Sequence, residues 1–402
     1  MHPARRAVAA VFFINGVLFA NWVTRVPAVK DSVDSGTGAL GIALFGIGVG
    51  SLLSMPFSGR LCERFGSDRV VTASGLFLAV VLLGPAFAPN VVVLGLTLGF
   101  YGVGFGLLDV AMNVQAVGVI KQLARPIMPW FHAAFSFGGL VGAGTGGLAA
   151  EADLELAVHF ALVGGVMAAV VLWSRPHLLP DPPTPVVPAA PVDTPAARPP
   201  LLQRFTPFVI GVGAIAACAA LGEGVMADWS TLFMRDVRDL DAGPAAAGFA
   251  AFSVAMTAGR LGGEKAIDRL GTVRVLQVGG STAALGVLLA VLVPSPVTGV
   301  VGFLLVGLGL SCGFPLALST AGESGEGSGS NEIATVALIG YLGFLVGPPL
   351  IGLLAELVGL GPALLAIAVS SAALIFLAPV LAQAQAYPRP EAIAVAPARA
   401  RR

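Results

Sequence analysis

Long apolar stretches dominate the chain, and polar residues gather in short segments between them. A helix that crosses a bilayer needs about 20 mostly apolar residues. A membrane β-barrel would instead show short segments of alternating polarity, which are not seen here. The pattern therefore predicts twelve spanning helices, at 7–29, 38–58, 70–88, 91–115, 130–150, 156–173, 206–233, 245–263, 273–293, 297–318, 333–357 and 361–381.

Lysine and arginine are divided unevenly between the two sides that these helices define. If the N-terminus is cytoplasmic, 18 of the 22 lysines and arginines fall on the cytoplasmic side. Membrane proteins concentrate positive charge in their cytoplasmic loops. An odd number of helices would destroy this asymmetry. We therefore expect a multi-pass protein of the cell (inner) membrane with both termini in the cytoplasm.

Composition excludes several other classes of protein. Charged residues make up 11% of the chain and hydrophobic residues 56%, whereas soluble proteins carry about 25% charged residues. A net charge of zero argues against a nucleic-acid partner. Cys62, Cys218 and Cys312 have no CxxC partner, so we expect neither disulfides nor a metal site. No G-x-x-x-x-G-K-[ST] loop occurs, and we expect no cofactor.

One stretch near the middle of the chain differs in kind, because residues 176–200 include ten prolines and few large apolar residues. Such a segment cannot continue a helix and is expected to be an extended cytoplasmic linker. The predicted organisation is an N-terminal six-helix bundle (1–174), the linker (175–205), a C-terminal six-helix bundle (206–382) and a disordered cytoplasmic tail (383–402). The acidic segment 322–332 is expected to be a solvated connector.

The two halves share an internal repeat. Segment 59–69 (GRLCERFGSDR) aligns with 264–274 (EKAIDRLGTVR) at an offset of 205 residues. The same offset pairs Gly138 and Gly142 with Gly343 and Gly347, and ANW at 20–22 aligns with ADW at 227–229. Six helices per half leave both halves in the same orientation. Parallel repeats of this kind hold substrate between the halves, near the middle of the membrane.

The repeated acidic-Arg-x-Gly-x-x-Arg segment in a six-plus-six chain resembles the major facilitator superfamily (MFS). The usual family loop reads Gly-x-x-x-Asp-Arg-x-Gly followed by basic residues. Here Glu63 replaces the aspartate, Asp68 stands where a basic residue is usual, and Glu264 replaces the first glycine of the second copy. More loosely, segments 106–119 and 131–143 are similar to the fucose–proton-symporter-like branch and its uncharacterised bacterial relatives.

This resemblance implies an all-α membrane fold of twelve helices, built as two parallel repeats, that works by alternating access. It also implies that the repeated segment is a gate on the cytoplasmic side, whose ion pairs break and form again as the halves move. The alternative is that its charges only set topology and anchor helix ends in lipid headgroups. The residues concerned are Gly59, Glu63, Arg64, Gly66, Arg69, Asp268, Arg269, Gly271 and Arg274.

Carboxylates within the spans are the best candidates for binding, because a charge at the centre of a bilayer costs about 2.5–3.5 kcal/mol. Asp109 and Asn113 lie one turn apart on one face of the fourth predicted helix. We expect them to bind substrate or protons. The alternative for Asp109 is a buried carboxylate whose partner lies on a neighbouring helix. Glu223, deep in the seventh helix, is a second candidate for proton binding.

Asp228 follows Glu223 by five residues, or about 140° around a helix, so we expect the two carboxylates to serve different sites. If helices one and seven face each other, as the resemblance implies, Asp228 and Arg25 form an ion pair that gates the outer side. A local pair of Asp228 with Arg235 is the alternative. Arg260 is expected to pair with Glu264 or with the repeated segment.

The first helix carries further polar residues that are candidates for a binding site. Asn15, Asn21 and Trp22 precede Arg25, and Asn21 lies one helical turn from it. We expect Asn21 and Arg25 to line a polar stripe. Trp22 and its repeat equivalent Trp229 are either interfacial anchors or platforms that stack on a sugar-like ligand.

These observations predict a secondary transporter that moves a small polar solute such as a sugar, with coupling to protons. A proton-driven exporter of drugs or cations is the alternative within the same fold, and a receptor or scaffold that transports nothing is a second. We expect no enzyme activity, because the histidines are scattered and no nucleophile and base converge. The expected partners are the bilayer, a small-molecule substrate and protons, with the protein functional as a monomer.

Overall fold

The computed structural model of the chain describes residues 3–123, 127–180, 205–324 and 330–384. Within them, twelve helices are long and apolar enough to cross a membrane, which confirms the predicted number. The first six are α1 (Pro3–Ser32), α2 (Thr37–Phe65), α3 (Ser67–Val81), α4 (Val91–Leu123), α5 (Met128–Glu151) and α6 (Leu156–Ser174).

The second set of six begins with α7 (Pro207–Asp236), α8 (Ala247–Leu270) and α9 (Thr272–Leu292). The helix α10 has two pieces, Pro296–Leu310 and Gly313–Ser324, and is followed by α11 (Ser330–Val358) and α12 (Leu360–Leu377). Helix therefore enters the predicted acidic connector from both sides, and residues 325–329 lie outside the described part. Short helical segments occupy Gly84–Phe87, Arg175–His177, Ala242–Ala245 and Val380–Ala384.

Both halves use the same helix pairings. In the first half α1 packs on α5, α2 on α4, and α3 on α4 and α6. In the second half α7 packs on α11, α8 on α10, and α9 on α10 and α12. Adding six to each helix number of the first half gives the helix pairs of the second half, as expected for parallel repeats.

The repeated glycines allow close approach of equivalent helices in the two halves. A Cβ at Gly138 or Gly142 would meet the carbonyl oxygen of Phe13 or Val17, in α1. A Cβ at Gly343 would meet the carbonyl oxygen of Ala217, in α7. Small residues let helix backbones touch in membranes, where apolar surface alone does not drive helices together.

The glycines of the repeated loop have a backbone role. Gly66 connects α2 to α3 with φ of 92°, and Gly271 connects α8 to α9 with φ of 78°. Residues with a side chain rarely adopt such angles. Each glycine therefore lets one helix end and the next begin after a single residue.

The described part of the predicted linker is anchored to the first half by Gln115. Its side-chain Nε2 donates to the carbonyl oxygen of Leu179 (2.7 Å), and its Oε1 accepts from the Leu179 amide (2.9 Å). Residues 181–204 and 385–402 lie outside the described part, so the limits of the linker and the tail stay predictions.

Candidate functional site

Ion pairs between the halves close one end of the bundle, where α1 meets α2 and α7 approaches α8. Arg235 Nη1 and Nη2 donate to the two carboxylate oxygens of Asp31, at 2.6 and 3.1 Å. Lys30 Nζ lies 3.6 Å from Asp236. Lys30 and Asp31 are the repeat equivalents of Arg235 and Asp236 at the offset of 205. The two cross-half pairs are therefore reciprocal.

Two glutamates from opposite halves reinforce this closed end. Glu356 of α11 accepts a hydrogen bond from the Gly38 amide (2.8 Å) at the N-terminus of α2, where a carboxylate meets the helix dipole favourably. Its repeat equivalent, Glu151 of α5, lies against Gly243 in the short helix that precedes α8. A Cβ at Gly352 would lie 2.6 Å from the Thr37 carbonyl oxygen, so α2 and α11 touch here.

The repeated loop lies at the opposite end of the bundle. Among the residues that the structure describes, no ion pair joins the two halves there. Arg64 instead lies over the ring of Phe65, 5.2 Å from its centroid, and a Cβ at Gly59 would meet nothing within 4 Å. The gating role of this loop stays a prediction, since the contact between the halves is at the other end.

A cavity of about 330 Å³ lies between the halves and takes its walls from both. It is largely apolar, and α1, α2, α4 and α5 face α7, α8 and α11 across it. Its charged residues are Asp109, Glu223, Asp228 and Arg260. Its aromatic residues are Phe19, Phe105, Phe135, Phe249, Phe252, Tyr341 and Phe344.

Glu223 and Arg260 form an ion pair across this cavity wall. Arg260 Nη2 donates to both carboxylate oxygens of Glu223, each at 3.0 Å. The expected partner of Arg260 was Glu264 or the repeated loop, and that prediction is wrong for this structure. Because Arg260 lies on the face of α8 turned towards α7, it reaches Glu223 and not its own helix neighbour.

Asp109 of α4 and Asp228 of α7 also line the cavity. Neither carboxylate has a hydrogen bond or ion pair with any described residue. The expectation that Glu223 and Asp228 serve different sites is wrong, because the cavity wall includes the whole arc of α7 between them, with Gly224 and Ala227. The sequence-predicted acids Asp109, Glu223 and Asp228 thus lie at one site.

The predicted pair of Arg25 with Asp228 is not formed. Arg25 is only 5% exposed and its Nη2 donates to the carbonyl oxygen of Leu154 (2.7 Å), in the turn between α5 and α6. Its side chain therefore stays within its own half. The alternative pair of Asp228 with Arg235 is also absent, since Arg235 binds Asp31 and Asp236.

The other candidates on α1 lie inside the first half and not on the cavity. Asn21 is buried, its Nδ2 lies 3.2 Å from Thr145 Oγ1, and its Oδ1 lies 2.8 Å from His159 Nε2. Asn15 donates to the sulfur of Met112 (3.8 Å). Asn21 and Arg25 both turn towards α5 and α6, so the polar stripe that they form lies inside the first half and not on the cavity. His159 was not singled out in the sequence.

Both predicted roles for the tryptophans are wrong. Trp22 is 1% exposed and packs beside Tyr101 and Phe160, and Trp229 is fully buried. They are core residues, neither interfacial anchors nor cavity platforms. Asn113 donates to the carbonyl oxygen of Asp109 (2.8 Å) and borders a separate pocket next to Leu179.

Known proteins with similar sequences decide the family. A family model described as the Major Facilitator Superfamily matches residues 8–331. The chain belongs to the major facilitator superfamily. It is 34% identical to an uncharacterised MFS-type transporter of Yersinia pestis (88% of this chain, 89% of that one). It is 32% identical to the membrane protein MosC of Rhizobium meliloti (89% and 85%).

Solved structures support the MFS fold. The nucleoside transporter NupG has a TM-score of 0.75 at 14% identity, covering 95% of this chain and 100% of that one. A bacterial homologue of the human lysosomal transporter Spinster, in an inward-facing and occupied conformation, has a TM-score of 0.68 at 14% identity (94% of each chain). At these identities the likeness concerns the fold alone. The chain is thus a multi-pass MFS transporter.

Proposed function

We propose that this MFS protein is a secondary active transporter that moves a small solute through the central cavity by alternating access. The observation that carries the proposal is the pairing of a cavity walled by both halves with a closed end held by cross-half ion pairs. A rocking motion of the halves would break Arg235–Asp31 and Lys30–Asp236 and expose the cavity on that side.

The proposed orientation follows from the charge distribution of the loops. Placing most lysines and arginines in the cytoplasm puts both termini there and the closed end on the outer side. The structure would then correspond to an inward-facing state. We place the protein in the cell membrane, as a functional monomer.

Proton coupling is the second part of the proposal. A carboxylate without a partner in a largely apolar cavity is stabilised by taking up a proton or a cation. Asp109 and Asp228 meet that description, whereas Glu223 is already paired with Arg260. Among the described residues of the cavity wall, the remaining ionisable group is Tyr341. We assign proton exchange to Asp109 and Asp228.

The test uses proteoliposomes that hold an internal pH dye, with a panel of neutral sugars and organic cations added outside. To lock the closed end, Thr37 and Glu356 are both changed to cysteine in a chain whose three native cysteines are alanine. In the native protein Thr37 Oγ1 lies 3.4 Å from Glu356 Oε2. Cysteines at these two positions are therefore within reach of a short cleavable bis-maleimide. The single variants Thr37→Cys and Glu356→Cys are the matched controls.

We expect a substrate-dependent pH change that the cross-linker abolishes in the double variant only, and that cleavage of the linker restores. Asp109→Asn should weaken the pH response more than tenfold. Unimpaired flux through the cross-linked protein would rule out alternating access. Flux without any pH response would reject proton coupling, and no response to any compound would favour the receptor alternative.

A further inference from the structure

The cavity has an excess of negative charge. Of its four charged side chains, Glu223 and Arg260 neutralise each other through two contacts of 3.0 Å. Asp109 and Asp228 remain, and Arg260, already paired with Glu223, is the one basic residue among the described residues of the cavity wall. A solute that neutralises one of them would remove an unfavourable charge from a largely apolar space.

The walls around these carboxylates suit a cation with an apolar body. Seven aromatic residues line the cavity, including Phe19 and Phe105 from one half and Phe249 and Tyr341 from the other. The faces of such rings attract ammonium groups electrostatically. The volume of about 330 Å³ lies at the lower end of the range for small-molecule sites, about 300–1,000 Å³.

The wall is less suited to a sugar. A sugar presents many hydroxyl groups, each of which needs a polar partner when it is buried. The amides expected to supply such partners, Asn15 and Asn21, are buried inside the first half, and both stacking candidates, Trp22 and Trp229, are core residues. The uncharged polar groups that remain on the wall are hydroxyls: Ser51, Ser136, Ser253, Thr257 and Tyr341.

From this charge balance and these walls, we infer that the cavity binds a small organic cation, an ammonium group on an apolar or aromatic body. Its charged group lies against Asp228 or Asp109, and its body lies among the phenylalanine rings. The inference rests on the proposed transport function and specifies its substrate class.

The test is equilibrium binding to the purified full-length protein, measured by calorimetry in detergent. The probes are phenyltrimethylammonium, choline and 3,3-dimethylbutan-1-ol, which has the shape of choline without its charge. The variants are Asp109→Asn, Asp228→Asn and the charge-retaining Asp228→Glu. Asp239→Asn is the matched control, because Asp239 is an exposed carboxylate in the loop after α7 and outside the cavity.

We expect both cations to bind and the uncharged alcohol to bind at least tenfold more weakly than choline. Asp228→Asn or Asp109→Asn should lower the affinity for both cations at least tenfold, and Asp228→Glu should retain most of it. Equal binding of choline and the alcohol would overturn the inference, as would failure of the wild type to bind either cation, or wild-type affinity in both asparagine variants.

This experiment is separate from the transport assay, since binding in detergent needs no movement of the halves. Cation binding without flux would leave the site assignment intact and reject transport. Flux of a sugar by a protein that binds neither cation would reject the site assignment and retain transport. If one asparagine variant does not fold, as judged by size-exclusion chromatography, the test rests on the other variant and on the comparison of choline with 3,3-dimethylbutan-1-ol.

Discussion

At the scale of single residues, Gly271 shows how backbone conformation can require a residue type where space does not. Its φ is 78° and its ψ is 159°, and a Cβ built there would meet nothing within 4 Å. This region of backbone conformation is almost restricted to glycine. The equivalent residue in the first half, Gly66, has the same kind of geometry. The repeat seen in the sequence at these positions is thus a repeated helix ending.

Gly271→Ala is expected to lower the stability of the protein by about 1–3 kcal/mol, because the alanine would occupy a strained conformation. The control is Gly262→Ala, in the interior of α8, where a Cβ also meets nothing within 4 Å. In a helix interior alanine is better than glycine by up to about 1 kcal/mol. Thermal unfolding in detergent should therefore shift down for the first variant and not for the second. Equal shifts would contradict the backbone explanation.

At the scale of helices, glycines determine which pairs can touch. Helices α1 and α5 pack closely at two glycines. Gly16 of α1 lies against the carbonyl of Phe135, and Gly138 of α5 lies against the carbonyl of Phe13. The same close packing recurs between α7 and α11 at Gly343. Close helix packing holds each half together as one rigid body, which a rocking mechanism requires.

Gly138→Ala should force α1 and α5 apart and destabilise the first half by about 1–3 kcal/mol, the usual cost of overpacking. Gly144→Ala, six residues further along α5, is the matched control, because a Cβ there would meet nothing within 4 Å. Unfolding of both variants in mixed micelles measures the difference. If Gly138→Ala is as stable as Gly144→Ala, close packing of α1 on α5 does not depend on this glycine.

At the scale of the whole molecule, the closed end is a set of contacts repeated about the axis that relates the two halves. Lys30 and Asp31 meet Arg235 and Asp236. The contact of Glu356 of α11 with Gly38 of α2 has its counterpart in the contact of Glu151 with Gly243. All of these residues pair at the offset of 205. The same offset marks all of these residues in the sequence.

Asp31→Asn should weaken the closed end by removing the ion pair with Arg235. An exposed pair contributes about 0.2–1 kcal/mol, which corresponds to about a 1.4- to 5-fold shift towards the open state. The measurement is the yield of cross-linking between cysteines at positions 37 and 356, which should be lower with Asp31→Asn than without it. Asp34→Asn is the control, since Asp34 is exposed in the same loop and its φ of 46° suits asparagine. An unchanged yield in Asp31→Asn would mean that other contacts hold this end.

The number of spans, the two parallel halves and the family could be predicted from the sequence. Each depends on a local or repeated property. A spanning helix must be apolar for about 20 residues whatever surrounds it, and the halves match at nearly one offset, 205 for the repeated loop and the glycines and 207 for ANW and ADW. The acids Asp109, Glu223 and Asp228 were also identifiable, because carboxylates are rare in apolar helices.

Only the tertiary structure decided which neighbours these side chains have. Helical periodicity gives the angle between two residues on one helix, but not which helix lies opposite either of them. For that reason Arg25 binds Leu154 and not Asp228, Arg260 binds Glu223 and not Glu264, and Trp22 is a core residue. The charged residues of the cavity come from three helices, α4, α7 and α8, which no single segment of the sequence contains. The sequence determined that this chain is built to sit in lipid, and the packing of its halves decided which charges meet.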